Sequence, residues 1–252
     1  MVQRLTETIE LNGGPFQEDK IIYVAQLFQL FQTAIQQLAV RYHQLQPSLL
    51  ANSQHLYPSP TCINANLPGT LTFIERYKPE PTSGRNFSRA FFKAKLAEKD
   101  VLVKFCHKYS MLAHNIVNGL GLAPKLHLCA PLLGGGVMVI VDFLPHPWKT
   151  LHYAIYGQTE VPDYIQQDLR TALAALHKEN LVHGDLRRGN VMALKDGDKW
   201  LVRMIDFDGA GVDGVDRYSV MLNDTGVIKW AAGVAPYALM RKQHDLDMLQ
   251  ML

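Results

Sequence analysis

His183-Gly184-Asp185 opens a short polar stretch that closes on Asn190, directly ahead of the apolar run Val191–Leu194. Further on, Met204-Ile205-Asp206-Phe207-Asp208-Gly209 places an acidic pair at the end of a second apolar run. The order is loop aspartate, loop asparagine, hairpin, aspartate. Phosphoryl transfer requires hard oxygen ligands for Mg²⁺ and one separate carboxylate that orients the attacking hydroxyl. Asp185 suits the orienting role, Asn190 offers the metal a neutral carbonyl oxygen, and Asp206 offers a charged one from the far strand of the hairpin. Taken singly, these are ordinary turn and strand-end residues. Their order, beside a helix and a hairpin, is what points to a kinase-type loop and metal-binding segment. Asp208 reads equally as a further metal-side acid and as a solvated loop residue.

Several elements must position this loop. Pro162-Asp163 begins a helix whose Ile165, Leu169, Ala172, Leu173 and Leu176 form one apolar stripe, and that helix ends at Lys178-Glu179-Asn180, just before the loop. Upstream, Leu71–Tyr77 and Phe87–Leu96 read as antiparallel strands, and Glu98-Lys99-Asp100 reads as the turn into a third, Val101–Cys106. Period-2 alternation puts Lys104 on one face with Leu102 and Cys106. A lysine inside an apolar strand is either at an edge or paired. A helix is expected over Tyr109–Asn118. Strands follow at Lys125–Ala130 and Val137–Phe143, joined around Gly134-Gly135-Gly136, which reads as a hairpin turn because no helix follows it.

VHGDLRRGNVMAL followed by MIDFDGAG resembles the protein-kinase-like superfamily, and its HGD form is similar to aminoglycoside and choline phosphotransferases. From about Val101 to the C-terminus, the phrases VLVKFCHKYS, GLAPKLHLCAPL, VHGDLRRGN, MIDFDGAG and KQHDLDML resemble the kinase-like domains of basidiomycete fungi. The resemblance implies an α+β, two-lobed fold: a small antiparallel-sheet lobe over 51–141, a truncated helical lobe over 142–252, and a helical extension over 1–50. It implies ATP and Mg²⁺ as cofactors and a hydroxyl acceptor on a protein or small molecule. Asp185 would orient the acceptor, and Arg187 would balance charge on the transferred group. Lys104, Ser83 and Gly84 would contact phosphates, with Arg85 beside them. Asp142, Phe143 and Leu144 would contact the adenine, and Asn190, Asp206 and Asp208 would face the metal.

Three departures qualify the likeness. Gly184 stands where ordinary protein kinases usually carry an arginine, and Ser83-Gly84-Arg85 lies in a loop with no GxGxxG. No Asp or Glu occurs between Val101 and Val141, so Met111 and Leu112 occupy the place where a glutamate would pair with Lys104. The expectation is nucleotide binding with low turnover, unless Glu75, Glu98 or Asp100 reaches the lysine. The rival reading is a pseudokinase that binds nucleotide or scaffolds without turnover. Asp245 resembles the helix aspartate that braces a kinase catalytic loop, and reads equally as a helix-start acid favoured by the dipole.

The 252-residue chain is 48% hydrophobic and 19% charged, with a net charge of +2, which gives no reason to expect a nucleic-acid or membrane-surface partner. Three scattered cysteines lack metal-ligand spacing, and no apolar run approaches membrane-spanning length, so a soluble cytoplasmic or nuclear protein is expected. Glu18–Gln44 carries apolar residues in steps of three and four, opposite a glutamine-rich face. That stripe is expected to pack on the protein, with a dimer through this helix as the alternative. The proline-bearing connector 47–69 reads as a boundary.

Overall fold

A stretch with helical periodicity and two acids in its first turn, Glu18 and Asp19, forms α1 over Gln17–Gln44, as expected from the sequence. The computed structural model describes residues 17–44, 57–63, 65, 67–78, 90–133, 135–158, 160–223, 226 and 228–252. The expectations for Ser83, Gly84 and Arg85 lie outside them. The chain divides into two compact units, Met1–Ser59 and Pro60–Leu252. The second unit begins inside the expected connector, because Thr61–Ile63 hydrogen-bond to the edge of the sheet through Ile63 N to Pro131 O (2.8 Å) and Leu133 N to Thr61 O (2.9 Å).

The fold of that unit is α+β. Five antiparallel strands, β1 (Leu71–Arg76), β2 (Ala90–Leu96), β3 (Lys99–Cys106), β4 (Leu126–Pro131) and β5 (Val137–Asp142), lie in the order β1-β2-β3-β5-β4. Burial follows the pleat on β2, where Phe92, Ala94 and Leu96 face inward. On the interior strand β5, Met138, Val139 and Ile140 are all buried, the pattern of a strand covered on both faces. The β2–β3 turn is tighter than the sequence suggested. Leu96 pairs with Lys99, so Ala97-Glu98 alone turns the chain, with Ala97 at φ +52°. Lys99 and Asp100 belong to the strand, and the Asp100 carboxylate pairs with Lys95 across it. The glycine segment before Val137 joins β4 to β5 with Gly135 and Gly136 at positive φ, a hairpin as expected.

After the sheet come β6 (Lys149–Thr150) and the short α3 (Leu151–Ala154), then α4 (Asp163–Lys178), whose stripe is buried as expected. The strand β7 (Leu181–Val182) leads into the loop, and β8 (Val191–Asp196) and β9 (Lys199–Met204) form the hairpin. Beyond it β10 (Gly211–Val212) pairs back on β7, and α5 (Lys242–Gln250) closes the chain. α2 (Met111–Gly119) starts later than expected, because Ser110 caps it: the Ser110 hydroxyl accepts from Ala113 N at 3.3 Å. One apolar core joins Ala113 and Val117 of α2 to Leu169 and Leu173 of α4 and to Leu186, Val191, Met204 and Phe207. The loop and hairpin that hold the candidate site residues therefore rest directly on packed side chains. No helix among the described residues is long and apolar enough to cross a membrane.

Candidate active site

The loop after β7 is held from below. Asp245 of α5 is 1% exposed, and its carboxylate accepts from His183 N (2.8 Å), Gly184 N (3.0 Å) and His177 Nε2 (3.1 Å). Of the two sequence readings, the bracing one describes this residue. A helix-start acid would face the N-terminal amides of its own helix, whereas Asp245 spends its oxygens on the loop and on α4.

Gly184 is present for a backbone reason. Its φ is +78°, and a Cβ there would stand 2.4 Å from Met240 Cε and 2.8 Å from Gly209 O. The methionine end can move, but the backbone carbonyl cannot do so cheaply. The arginine of ordinary protein kinases has no room at this position. Gly184→Ala is expected to cost about 2–3 kcal/mol of stability, from the left-handed backbone and the carbonyl contact together. Urea denaturation checks this, and a cost under about 0.5 kcal/mol would mean that the loop adapts freely.

Within the loop, Asp185 sits in a closed set of donors. Arg187 reaches it with Nε on Oδ1 (2.8 Å) and Nη2 on Oδ2 (3.3 Å), and Asn190 Nδ2 donates to Oδ2 (2.7 Å) and to Asp185 O (2.8 Å). A carboxylate has about four lone-pair sites, and these three side-chain bonds leave capacity for one more donor. Burial raises the Asp185 carboxyl, with Arg187 pulling the other way. Asp206 also raises it, so the two acids lie within electrostatic reach. Asn190 is buried, and its side-chain nitrogen is spent on the Asp185 carbonyl and carboxylate. Ile205 N donates to Asn190 O at 3.0 Å, which sets Asp206 beside the asparagine at the hairpin base.

Asp206 has φ +69°, a left-handed value rare for a non-glycine residue. The turn that follows is pinned by Phe207, fully buried and packed at 4.8 Å from the His114 ring and 5.3 Å from the His183 ring. His114 is fixed in one tautomer. Its Nε2 donates to Pro124 O (2.6 Å), so Nδ1 must accept the Tyr109 hydroxyl proton (2.5 Å), and burial lowers its pKa. His183 is also buried: its Nδ1 accepts from Asp185 N at 3.3 Å, and its Nε2 has no hydrogen-bond partner among the described residues.

Lys104 joins the sheet to the loop. Its Nζ lies 2.5 Å from Asp206 Oδ1 and 2.5 Å from Asp208 Oδ1. The lysine expected to lack a carboxylate partner has two, and neither is Glu75, Glu98 or Asp100, the acids named as the exception. Asp100 is drawn to Lys95 instead. Nor is the helix the source, since Met111 and Leu112 lie on the exposed side of α2. Burial would lower the Lys104 ammonium, but the two carboxylates outweigh it and the net shift is upward. Asp208, read from sequence as metal-side or solvated, is an ion-pair partner of the lysine. The signal was there to find: a stretch without acids around the lysine, and one acid too many after Asp206.

Of the residues expected at the adenine, Asp142 closes β5, and its carboxylate takes His127 Nε2 (2.6 Å) and Lys99 Nζ (2.7 Å). Its backbone N–H bonds Lys125 O (2.9 Å), and that of Phe143 bonds Asp100 O (3.3 Å). Leu144 is the one of the three whose N–H is not committed to the sheet. A cavity of about 200 Å³ lined by Pro147, Lys149, Tyr153, Lys195 and Trp200 includes none of these side chains.

No family model matches the sequence, and no curated protein matches it. Among solved structures, the chain is similar to the kinase PK-1 of Cydia pomonella granulovirus. The two share 18% identity with a TM-score of 0.44, over 59% of this chain and 57% of that one. The architecture is mixed α+β, with a five-stranded antiparallel sheet and several helices.

The donor set fits one magnesium class of ligand. Among the described residues no group of three or more His, Cys, Asp or Glu is arranged to hold a metal alone. Mg²⁺ is commonly held by one or two carboxylates with the remaining positions filled by phosphates and water. Asn190 and Asp206 supply hard oxygens of that kind.

Proposed function

We propose that the protein is an ATP- and Mg²⁺-dependent, protein-kinase-like phosphotransferase acting on a hydroxyl of a protein or small molecule. The observation that carries this reading is the meeting of Lys104 from β3 with Asp206 from the hairpin base, beside the Asp185–Asn190 loop. Structural ion pairs can be built anywhere. This one joins the only buried lysine among the described residues to the acid that the loop order marks for metal. The HGD loop and the phrase-level likeness to basidiomycete kinase-like domains belong to the same reading.

When bound, Mg²⁺ would neutralise phosphate charge, with Asn190 and Asp206 as its protein ligands. Lys104 would hold phosphate oxygens from the sheet side. Asp185 would accept a hydrogen bond from the acceptor hydroxyl and take up its proton as the acceptor oxygen bonds the γ-phosphorus of ATP and the bond to the departing ADP oxygen breaks. Burial favours that role by raising the carboxyl, and the Arg187 fork fixes its plane. Leu144 would present its backbone to the adenine.

The test is thermal stabilisation by ATP with and without Mg²⁺, followed by turnover on the same sample. Ligand at a hundred times its dissociation constant should add about 2.7 kcal/mol by mass action. Asp206→Asn should remove the Mg²⁺-dependent part. An unchanged melting curve under saturating Mg²⁺-ATP would rule out a nucleotide site. Stabilisation without turnover would favour the pseudokinase reading.

A further inference from the structure

We propose that Asp208 is the positioning residue for Lys104, holding the ammonium in place once Asp206 turns to the metal. This rests on the phosphotransferase reading above. Two carboxylates stand at 2.5 Å from one ammonium, one acid more than the lysine needs. Asp206 follows directly on the hairpin base beside Asn190, so it is the one placed for the cation. Asp208 lies two residues on, in the turn that Phe207 anchors by packing against His114 and His183. Its position is therefore set by a buried ring and does not depend on what Asp206 binds.

Nothing on the helix side can do this instead. The residues from Val101 to Val141 contain no acid, and two rings stand near the ammonium, Phe91 of β2 at 5.8 Å and Tyr109 at 5.7 Å from Nζ. His114 is neutral, with both ring nitrogens already in hydrogen bonds. A cation drawn to Asp206 would both take that carboxylate away from Lys104 and repel the ammonium. Without a second acid the lysine would lose its place when the metal arrives. With Asp208 it stays, and its position follows the turn after β9 and not α2.

The experiment is calorimetric titration with the non-hydrolysable analogue adenylyl-imidodiphosphate, made on the full chain and on Asp208→Asn, Asp208→Glu and Asp206→Asn. A Mg²⁺ titration at saturating analogue accompanies it. Asp208→Asn should weaken analogue binding about tenfold, the usual scale for losing a supporting partner, while the Mg²⁺ concentration at half-saturation stays put. Asp208→Glu should recover most of the loss, and Asp206→Asn should move the Mg²⁺ half-point. A shift of that half-point in Asp208→Asn would make Asp208 a metal ligand and overturn the proposal. So would analogue binding equal to the unmodified chain, which would make it a solvated loop residue. Failure of the unmodified chain to bind the analogue is a separate outcome, and it removes the proposed function and this inference together. Melting curves check folding, and Asp208→Ser replaces Asp208→Asn if the latter does not fold.

Discussion

Asp185→Asn is expected to lower phosphoryl-transfer turnover by about a thousandfold while leaving Mg²⁺-ATP stabilisation largely in place. A positioned general base contributes roughly 10²–10⁴ in rate, and the substitution removes the base with little change of shape. The carboxamide can still accept from Arg187 or Asn190 through its one oxygen. It cannot satisfy both of the oxygens that now receive Arg187 Nε, Arg187 Nη2 and Asn190 Nδ2. A modest loss of stability should therefore accompany the loss of rate. The decisive measurement is turnover and nucleotide binding on one preparation. Turnover that survives Asp185→Asn would mean that the hydrolysis arises elsewhere, and the pseudokinase reading would replace the enzyme.

Asp245→Ala should cost about 3–5 kcal/mol of stability, the range for removing one partner of a buried polar network. Its carboxylate serves three donors: two loop amides and His177. Each buried donor left without a partner costs roughly 1–3 kcal/mol. Water cannot readily stand in, because Asp245 and His183 are both buried. Asp245→Asn should lose less, since one oxygen still accepts. The comparison is a pair of urea unfolding curves, and the midpoints should order as unmodified, Asn, Ala. A loss under about 1 kcal/mol in the alanine variant would show that the loop is held by its other contacts, through Gly209 and Asn190.

Elements with strong periodicity were legible. α4, the β8–β9 hairpin and the central strands lie where apolar spacing put them, because burial of one face dictates the period. The loop order from Asp185 to Asp206 was legible for a different reason: chemistry that needs several oxygen ligands imposes residue types in sequence order. Boundaries were less so. Ser110 is a cap and not the first helical turn, and Lys99 and Asp100 are strand residues despite their polarity, because they lie at the solvated end of β3.

What the chain by itself determined is the set of groups: one lysine in an apolar strand, an HGD loop, an asparagine, and two aspartates around Phe207. Which of these meet was decided by the tertiary structure. Asp245 could be either a helix-start acid or a brace until α5 packed beneath the loop, since both roles use the same residue at the same helix position. Gly184 could be a loss or a requirement until Gly209 and Met240 closed over it. Lys104 could not be paired by sequence distance, because its partners lie in a different part of the chain. Electrostatic partners are chosen by proximity after folding. A sequence records only that the charges exist.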